Sequence, residues 1–310
     1  MEYRKLGLTD LHVSLLGFGT GPFGGAYGAF EPQECKRAVH FAIDEGINFF
    51  DSSPYYGLTL SEERLGVALK GRRDKVILAT KCGRYGLNEF DFSAKRISAS
   101  IDESLNRLKT DYLDLFQLHD VEFGDFQQII DETLPTVRKI QQQGKARFVG
   151  ITGYPLKLLI RIAERFPVDT ILSYCHYNLM NTQMDLELTP FARKNGIGLI
   201  NASGLHMGVL TERGAPDWHP APAIVKESAQ KATEICRQHG QDISKTAIRF
   251  CLDHPFASTT LVGMSTREEV ASNLQLLQVR SDQKLIEEIR AAIGPVFNYA
   301  WPSGRPENDD

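Results

Sequence analysis

Short apolar runs alternate with longer amphipathic segments along most of the chain. The runs at 15–19, 47–51, 76–82, 113–119, 147–152, 169–175, 197–203 and 259–263 are rich in β-branched and aromatic residues and often bounded by glycine. Such runs are the pattern of parallel strands buried on both faces. Between them, 32–45, 61–70, 93–108, 125–143, 155–165, 185–195, 222–239 and 266–278 read as helices, with a final helix over 282–293. Pro32 and Gly46 mark the start and stop of the first, Ser61 and Gly71 those of the second. Ser93 opens a third, with Ile97, Ile101, Leu105 and Leu108 on one stripe. Residues 3–14 read as a hairpin, and no element is predicted between 239 and 259.

Eight strands alternating with eight helices predict an α/β fold. The expectation is one (β/α)8 barrel over 1–310, with an N-terminal hairpin and a C-terminal helix and tail over the barrel. No linker, composition shift or low-complexity tract divides the chain. The long loop at 204–221 follows the seventh strand, where barrels build their sites, and reads as a lid or cofactor clamp. The aromatic tail at 298–304 is expected to fold over the barrel mouth.

Three successive strand-like runs end in an ionisable side chain: Asp51, Lys81 and His119. On a barrel these strands are neighbours, so the three side chains converge. Pro54 turns the chain after Asp51, and Tyr55 and Tyr56 follow. A nearby ammonium lowers a tyrosine pKa from its ordinary value of about 10. Asp51 would orient Lys81, His119 would bind a substrate oxygen, and a tyrosine would be the general acid and base. Tyr55 and Tyr56 compete for that role on composition alone. No nucleophile elbow and no metal-spaced ligand cluster is visible, so no metal is expected. What remains is proton transfer coupled to a cofactor's chemistry, and hydride transfer is the natural candidate.

Composition narrows the classes. The chain has 310 residues, is 42% hydrophobic and carries a formal net charge of -4, without a basic patch. A nucleic-acid role is excluded on those grounds. No apolar run reaches the roughly 18 residues of a membrane span, and no secretory signal opens the chain. The five cysteines are odd in number and form no CxxC pair, as expected of free thiols in a cytoplasmic protein. A monomer or weak homodimer is expected.

The motifs resemble the aldo-keto reductase family along nearly the whole chain. The carrying stretches are Val-Ser-Leu-Leu-Gly-Phe-Gly-Thr, Asn-Phe-Phe-Asp-Ser-Ser-Pro-Tyr-Tyr-Gly, Ser-Glu-Glu-Arg-Leu-Gly, Asp-Tyr-Leu-Asp-Leu-Phe-Gln-Leu-His and Gly-Lys-Ala-Arg-Phe-Val-Gly-Ile-Thr-Gly. The resemblance implies a catalytic tetrad of Asp51, Tyr56, Lys81 and His119, and its spacing selects Tyr56 over Tyr55. It also implies a nicotinamide cofactor across the barrel mouth. The family's carboxamide-binding pair falls at Thr152 and Gly153, and its next contact at Ser173 or Tyr174, of which Ser173 is favoured. Ser203, Leu205, Met207 and Gly208 match the pyrophosphate segment. Gly263, Ser265 and Arg267 match the adenosine end, with Asn273 on the adenine. Where NADP-preferring members carry Lys and Arg, this chain reads Gly263 and Glu269, which implies NAD.

Further stretches, among them Thr-Lys-Cys-Gly-Arg-Tyr, Pro-Asp-Trp-His-Pro-Ala and Trp-Pro-Ser-Gly, are similar to the branch that oxidises the anomeric carbon of L-galactose with NAD to the lactone. Tyr55, Trp218, His219 and Trp301 are then candidates to line a pocket for a small sugar. L-Fucose or D-arabinose oxidation, NADPH-dependent carbonyl reduction and a channel β-subunit-like binding role are the alternatives.

Overall fold

The computed structural model describes residues 1–25 and 31–309. Among these described residues ten strands follow in chain order: β1 (Tyr3–Lys5), β2 (His12–Ser14), β3 (Leu16–Gly19), β4 (Phe49–Asp51), β5 (Ile77–Cys82), β6 (Leu113–Leu118), β7 (Ala146–Gly153), β8 (Thr170–Tyr174), β9 (Gly198–Ala202) and β10 (Thr259–Gly263). The last eight close into a barrel in the order β10-β3-β4-β5-β6-β7-β8-β9, every pair parallel. All eight predicted strands are present.

Side chains alternate across each strand, so parity decides what each residue faces. Phe49, Ala79, Leu115, Leu172, Ile200 and Leu261 point inward and form one apolar cluster. Phe50, Leu78, Phe116, Ile171 and Leu199 belong to the larger cluster between barrel and helices. Two residues above Phe49, Ala79 and Leu115 on the same faces stand Asp51, Lys81 and Gln117. The barrel is thus packed with apolar groups below and carries its polar groups at the C-terminal end.

The N-terminal hairpin plugs the other end. Leu6, Leu11 and Val13 join the inward apolar cluster. Gly7, with φ +60°, passes so close to β9 that a Cβ would lie 2.3 Å from the Gly198 amide nitrogen. Leu8 N–H donates to Gly196 O at 2.8 Å.

The predicted helices are found with small boundary shifts, together with one that the periodicity does not predict. Ile243–Leu252 is a helix capped by Asp242, whose side chain accepts from Lys245 N–H. Its buried positions, Ile243, Ala247, Ile248, Phe250, Cys251 and Leu252, spread around more than one face. A helix covered on several sides lacks the polar stripe that makes an amphipathic helix readable.

The C-terminal tail crosses the barrel mouth, as expected. Asn298 N–H donates to Met180 O at 2.9 Å, after β8. Trp301 stacks on Tyr154, just beyond β7, with ring centroids 4.8 Å apart. The tail then closes over Glu122, beyond β6, whose backbone oxygen accepts from Arg305 N–H and Asn308 Nδ2, both at 2.9 Å. The Glu122 side chain is fully buried. Its Oε1 accepts from Tyr174 OH at 3.0 Å, Tyr154 N–H at 3.2 Å and Ser303 Oγ at 3.3 Å. Its Oε2 has no hydrogen-bond partner among the described residues. Burial, and then the charge of Asp120, push this carboxyl up to about 8. Three donors on Oε1 place the proton on Oε2.

Leu6→Ala should destabilise the protein by about 2–5 kcal/mol in urea unfolding, because the barrel floor cannot collapse around the cavity. Glu122 gives its full stability below the unfolded glutamate pKa of about 4.3 and loses it as pH rises through about 8. Glu122→Gln, which mimics the neutral acid, should match wild type near pH 5 and gain about 2–5 °C in Tm over it near pH 8. A Tm difference independent of pH would contradict the assignment.

Candidate active site

Asp51 and Lys81 lie on adjacent strands with both side chains inside the barrel wall. The Lys81 ammonium is buried and donates to Asp51 Oδ1, to Ser52 O at 2.9 Å and to Tyr56 OH at 3.2 Å. Gln117 Nε2 donates to the other Asp51 oxygen at 3.1 Å. Every ammonium donor therefore has an acceptor, the condition for burying a cation.

Tyr56 is delivered by a tight turn. Tyr56 N–H donates to Ser53 O at 3.1 Å and Thr59 N–H to Pro54 O at 2.8 Å. Gly57, with φ +62°, is packed backbone to backbone on Gly24, where a Cβ would lie 2.4 Å from the Gly57 nitrogen. Two glycines in contact hold the Tyr56 loop against the turn after β3.

Burial is the largest influence on all these groups. It raises Asp51 above the ordinary carboxylate value, against the attraction of Lys81 and the Gln117 hydrogen bond. Burial alone would lower Lys81, but Asp51 and the Tyr56 oxygen outweigh it, and the ammonium is held above its ordinary value. For Tyr56 burial wins over Lys81, and the phenol sits above 10. Lys81 does lower it, as expected, but by less than desolvation raises it.

His119 follows β6 directly, and its N–H donates to Cys82 O at 2.7 Å. Its Nδ1 meets Ser53 Oγ at 3.0 Å, and the same oxygen accepts Tyr55 N–H at 3.1 Å. Burial pulls the imidazole down to about 3, so it is neutral at physiological pH. The rings of Tyr55 and Tyr56 meet it edge-on at 5.9 and 5.7 Å. Its Nε2 stands 3.7 Å from Asp120 Oδ1. Asp120 Oδ2 takes a hydrogen bond from Arg84 Nη1. The Arg84 guanidinium lies 3.9 Å over the Tyr55 ring.

The structure thus brings Asp51, Tyr56, Lys81 and His119 together. It adds five neighbours that the sequence reading does not contain: Ser53, Arg84, Gln117, Asp120 and Glu122. Of these Gln117 is readable, since it stands two residues before His119 on the inward face of β6. Cys82 faces the helices, and burial pushes its thiol well above its ordinary value.

The cofactor candidates lie at the ends of β7, β9 and β10, on one arc of the mouth. Thr152 is buried, and its Oγ1 accepts Asp120 N–H at 3.2 Å. The Ser203 hydroxyl bonds the Cys175 thiol, and Leu205 and Met207 pack on the core. Ser203, His206, Met207 and Gly208 all have positive φ, which makes this stretch a compact coil. A Cβ on Gly208 would lie 3.2 Å from Pro216, and one on Gly263 3.0 Å from Pro22, so each glycine lets its backbone pack closely against a proline. Asn273 is buried. With the polar groups along this arc, these residues fit an extended dinucleotide.

Two cofactor assignments change. Ser173 has the parity of Ile171, which faces the helices, and its buried Oγ has no hydrogen-bond partner among the described residues. Tyr174 shares the inward face of Leu172 and is the residue at the mouth. Glu269 holds a helix end together. Its Oε2 accepts from Ser265 N–H at 2.6 Å and Thr266 N–H at 3.2 Å, closing a capping box with Thr266. Arg267 lies 4.7 Å over the Phe41 ring, and its N–H donates to Glu34 at 3.3 Å. Glu34 and Glu269 thus both hold backbone N–H groups at the start of this helix, and Glu34 is also paired with Arg37 at 2.9 Å.

The substrate candidates divide. Tyr55 contacts His119 and is part of the site. His219 is a clasp inside its own loop: Nε2 donates to His206 O and Nδ1 accepts Ala221 N–H, both at 3.1 Å. Trp301 is buried between Tyr154, His206 and His219. His219 lies under the tail and Trp301 within it, and both are buried in packing contacts with their neighbours. Trp218 is exposed on the loop surface.

Comparison with known proteins agrees with this geometry. The Aldo/keto reductase family matches residues 15–293. L-galactose dehydrogenase of Arabidopsis thaliana is 45% identical, covering 99% of each chain. D-arabinose 1-dehydrogenase of Saccharomyces cerevisiae is 32% identical, covering 86% of this chain and 87% of its own. In structure, the holo form of an aldo-keto reductase from Bacillus halodurans superposes with a TM-score of 0.79 at 27% identity over the whole of both chains. With the barrel, the buried lysine bridging aspartate and tyrosine, and the neutral histidine in place, the chain belongs to the aldo-keto reductase family of oxidoreductases.

Proposed function

We propose that the protein oxidises the anomeric carbon of L-galactose to L-galactono-lactone with NAD. The observation that carries this reading is the Tyr56–Lys81–Asp51 chain beside a neutral His119, in a protein similar over its full length to a sugar dehydrogenase. The nicotinamide supplies the hydride acceptor when bound.

Tyr56, as the base, takes the proton from the C1 hydroxyl as the C1–O bond becomes a carbonyl. Lys81 stabilises the phenolate during that step, and Asp51 keeps Lys81 charged and aimed. Neutral His119 donates a hydrogen bond to the same oxygen, and its low pKa keeps a second positive charge away from Lys81. Because burial holds the Tyr56 phenol high, the basic form grows with pH and sugar oxidation should accelerate into the alkaline range.

Glu34 and Glu269 support NAD over NADP. Both carboxylates are engaged locally, Glu269 in its capping box, but their negative charge at this helix start repels a 2′-phosphate.

Tyr56→Phe should bind NAD with unchanged affinity by fluorescence titration and lose about 10²–10⁴ in kcat. Full turnover in that variant would rule the mechanism out. With L-galactose, kcat/KM should favour NAD over NADP by at least about tenfold. Equal rates would assign the adenosine end to Arg267 instead.

A further inference from the structure

The catalytic tetrad explains proton transfer at C1 but leaves one charged pair at the mouth without a role. Asp120 and Arg84 form an ion pair with side chains only 5% and 15% exposed. Such a pair is costly to bury, and apolar residues of similar size often serve stability as well. Asp120 is also strained, with φ 53° and ψ 58°, a left-handed conformation that a residue with a Cβ adopts at a cost. The hydrogen bond from its N–H to Thr152 holds it there. The result is a carboxylate turned back towards the ring of the histidine that precedes it.

Its two oxygens are in different situations. Oδ2 is engaged by Arg84, which is itself stacked on Tyr55. Oδ1 lies 3.7 Å from His119 Nε2, too far for a hydrogen bond between them. Ser53 Oγ already accepts the Tyr55 N–H, so its hydroxyl proton is free to go to His119 Nδ1. In the tautomer where that hydroxyl donates, the imidazole proton is on Nε2. A donor and an anionic acceptor therefore stand side by side where the reacting oxygen must bind.

The chemistry around an anomeric carbon is lopsided. On one side C1 carries the ring oxygen, which only accepts hydrogen bonds. On the other it carries C2 with a hydroxyl, which can donate. A carboxylate only accepts, so Oδ1 attracts the C2 hydroxyl and repels the ring oxygen. We propose that Asp120 is a specificity-determining residue, which selects aldoses with a free C2 hydroxyl by accepting that hydroxyl while His119 holds the C1 oxygen. The inference rests on the sugar-oxidation reading above. It also fixes which way round the sugar ring lies over Tyr56. A substrate without the hydroxyl would cover Oδ1 and leave it unpaired, the arrangement that discriminates most strongly between analogues.

The test crosses a substrate change with a residue change. NAD reduction is measured with L-galactose and with 2-deoxy-L-galactose, for wild type, Asp120→Asn and Asp120→Ala, with folding and NAD binding checked for each. Wild type should favour L-galactose by about 10²–10³ in kcat/KM, and Asp120→Ala should bring the ratio within about tenfold, chiefly by losing activity on L-galactose. Asp120→Asn, which keeps the shape and an acceptor, should fall between. A wild-type ratio near one overturns the proposal without any variant. So does an unchanged ratio in a folded variant that still turns over. If wild type oxidises no aldose with either cofactor, the sugar-oxidation reading itself falls and takes the proposal with it.

Discussion

The site depends on one buried cation. Lys81 is 1% exposed and has exchanged water for three protein acceptors: Asp51, the Ser52 carbonyl and Tyr56. Losing any one would leave an ammonium proton unsatisfied in a dry interior, which costs several kcal/mol. The acceptors come from the end of β4 and the turn after it, so the strand register that sets Asp51 beside Ala79 also sets the geometry of proton transfer. The apolar layer beneath, closed by the hairpin, is what makes that register rigid. Catalytic geometry and barrel stability are in this sense one property.

The mouth treats its two other acids in opposite ways. Asp120 is given a guanidinium partner next to His119. Glu122, two residues on, is given only neutral donors and is held as an acid by burial and by the Asp120 charge. Two anions this close would repel each other and the substrate's oxygens. Kept neutral, Glu122 binds the tail through Ser303 and the wall through Tyr174 without adding to the field at C1. The tail is therefore fastened to the same short segment that carries the histidine, and its packing on Tyr154 braces the far side of the mouth.

Much of this is legible in the sequence, and the gaps have physical causes. All eight barrel strands announce themselves, because strands buried on both faces are apolar throughout. The helix Ile243–Leu252 does not, because it is covered on several sides and has no clean stripe. Asp51, Lys81 and His119 are readable as ionisable groups at successive strand ends. Ser53, Arg84 and Asp120 are not, since their roles come from turn geometry and a left-handed residue that no periodicity reports. Ser173 and Tyr174 differ by one position, which in a strand puts their side chains on opposite faces, Ser173 towards the helices and Tyr174 towards the barrel interior. Glu269 reads as a cofactor residue, although Thr266-Arg267-Glu268-Glu269 spells a capping box and the structure gives its carboxylate that place. Trp301 and His219 look like pocket residues because aromatics near a mouth are ambiguous until their neighbours are known.

The division of labour that emerges is one of depth. The proton-transfer groups sit within the barrel wall or, as with Tyr56, on a turn pinned to it by two glycines, where a shift would break the Lys81 network. Arg84, Asp120 and Glu122 lie a few residues beyond the strands, in turns held by hydrogen bonds to Thr152, Tyr154 and the tail. These turns can change without disturbing the buried cation, so a barrel of this kind can keep its chemistry while its substrate changes. The strain at Asp120 fits that division. A left-handed aspartate has no use in closing the barrel, and while Arg84 holds its Oδ2 it leaves Oδ1 beside His119 without a hydrogen bond.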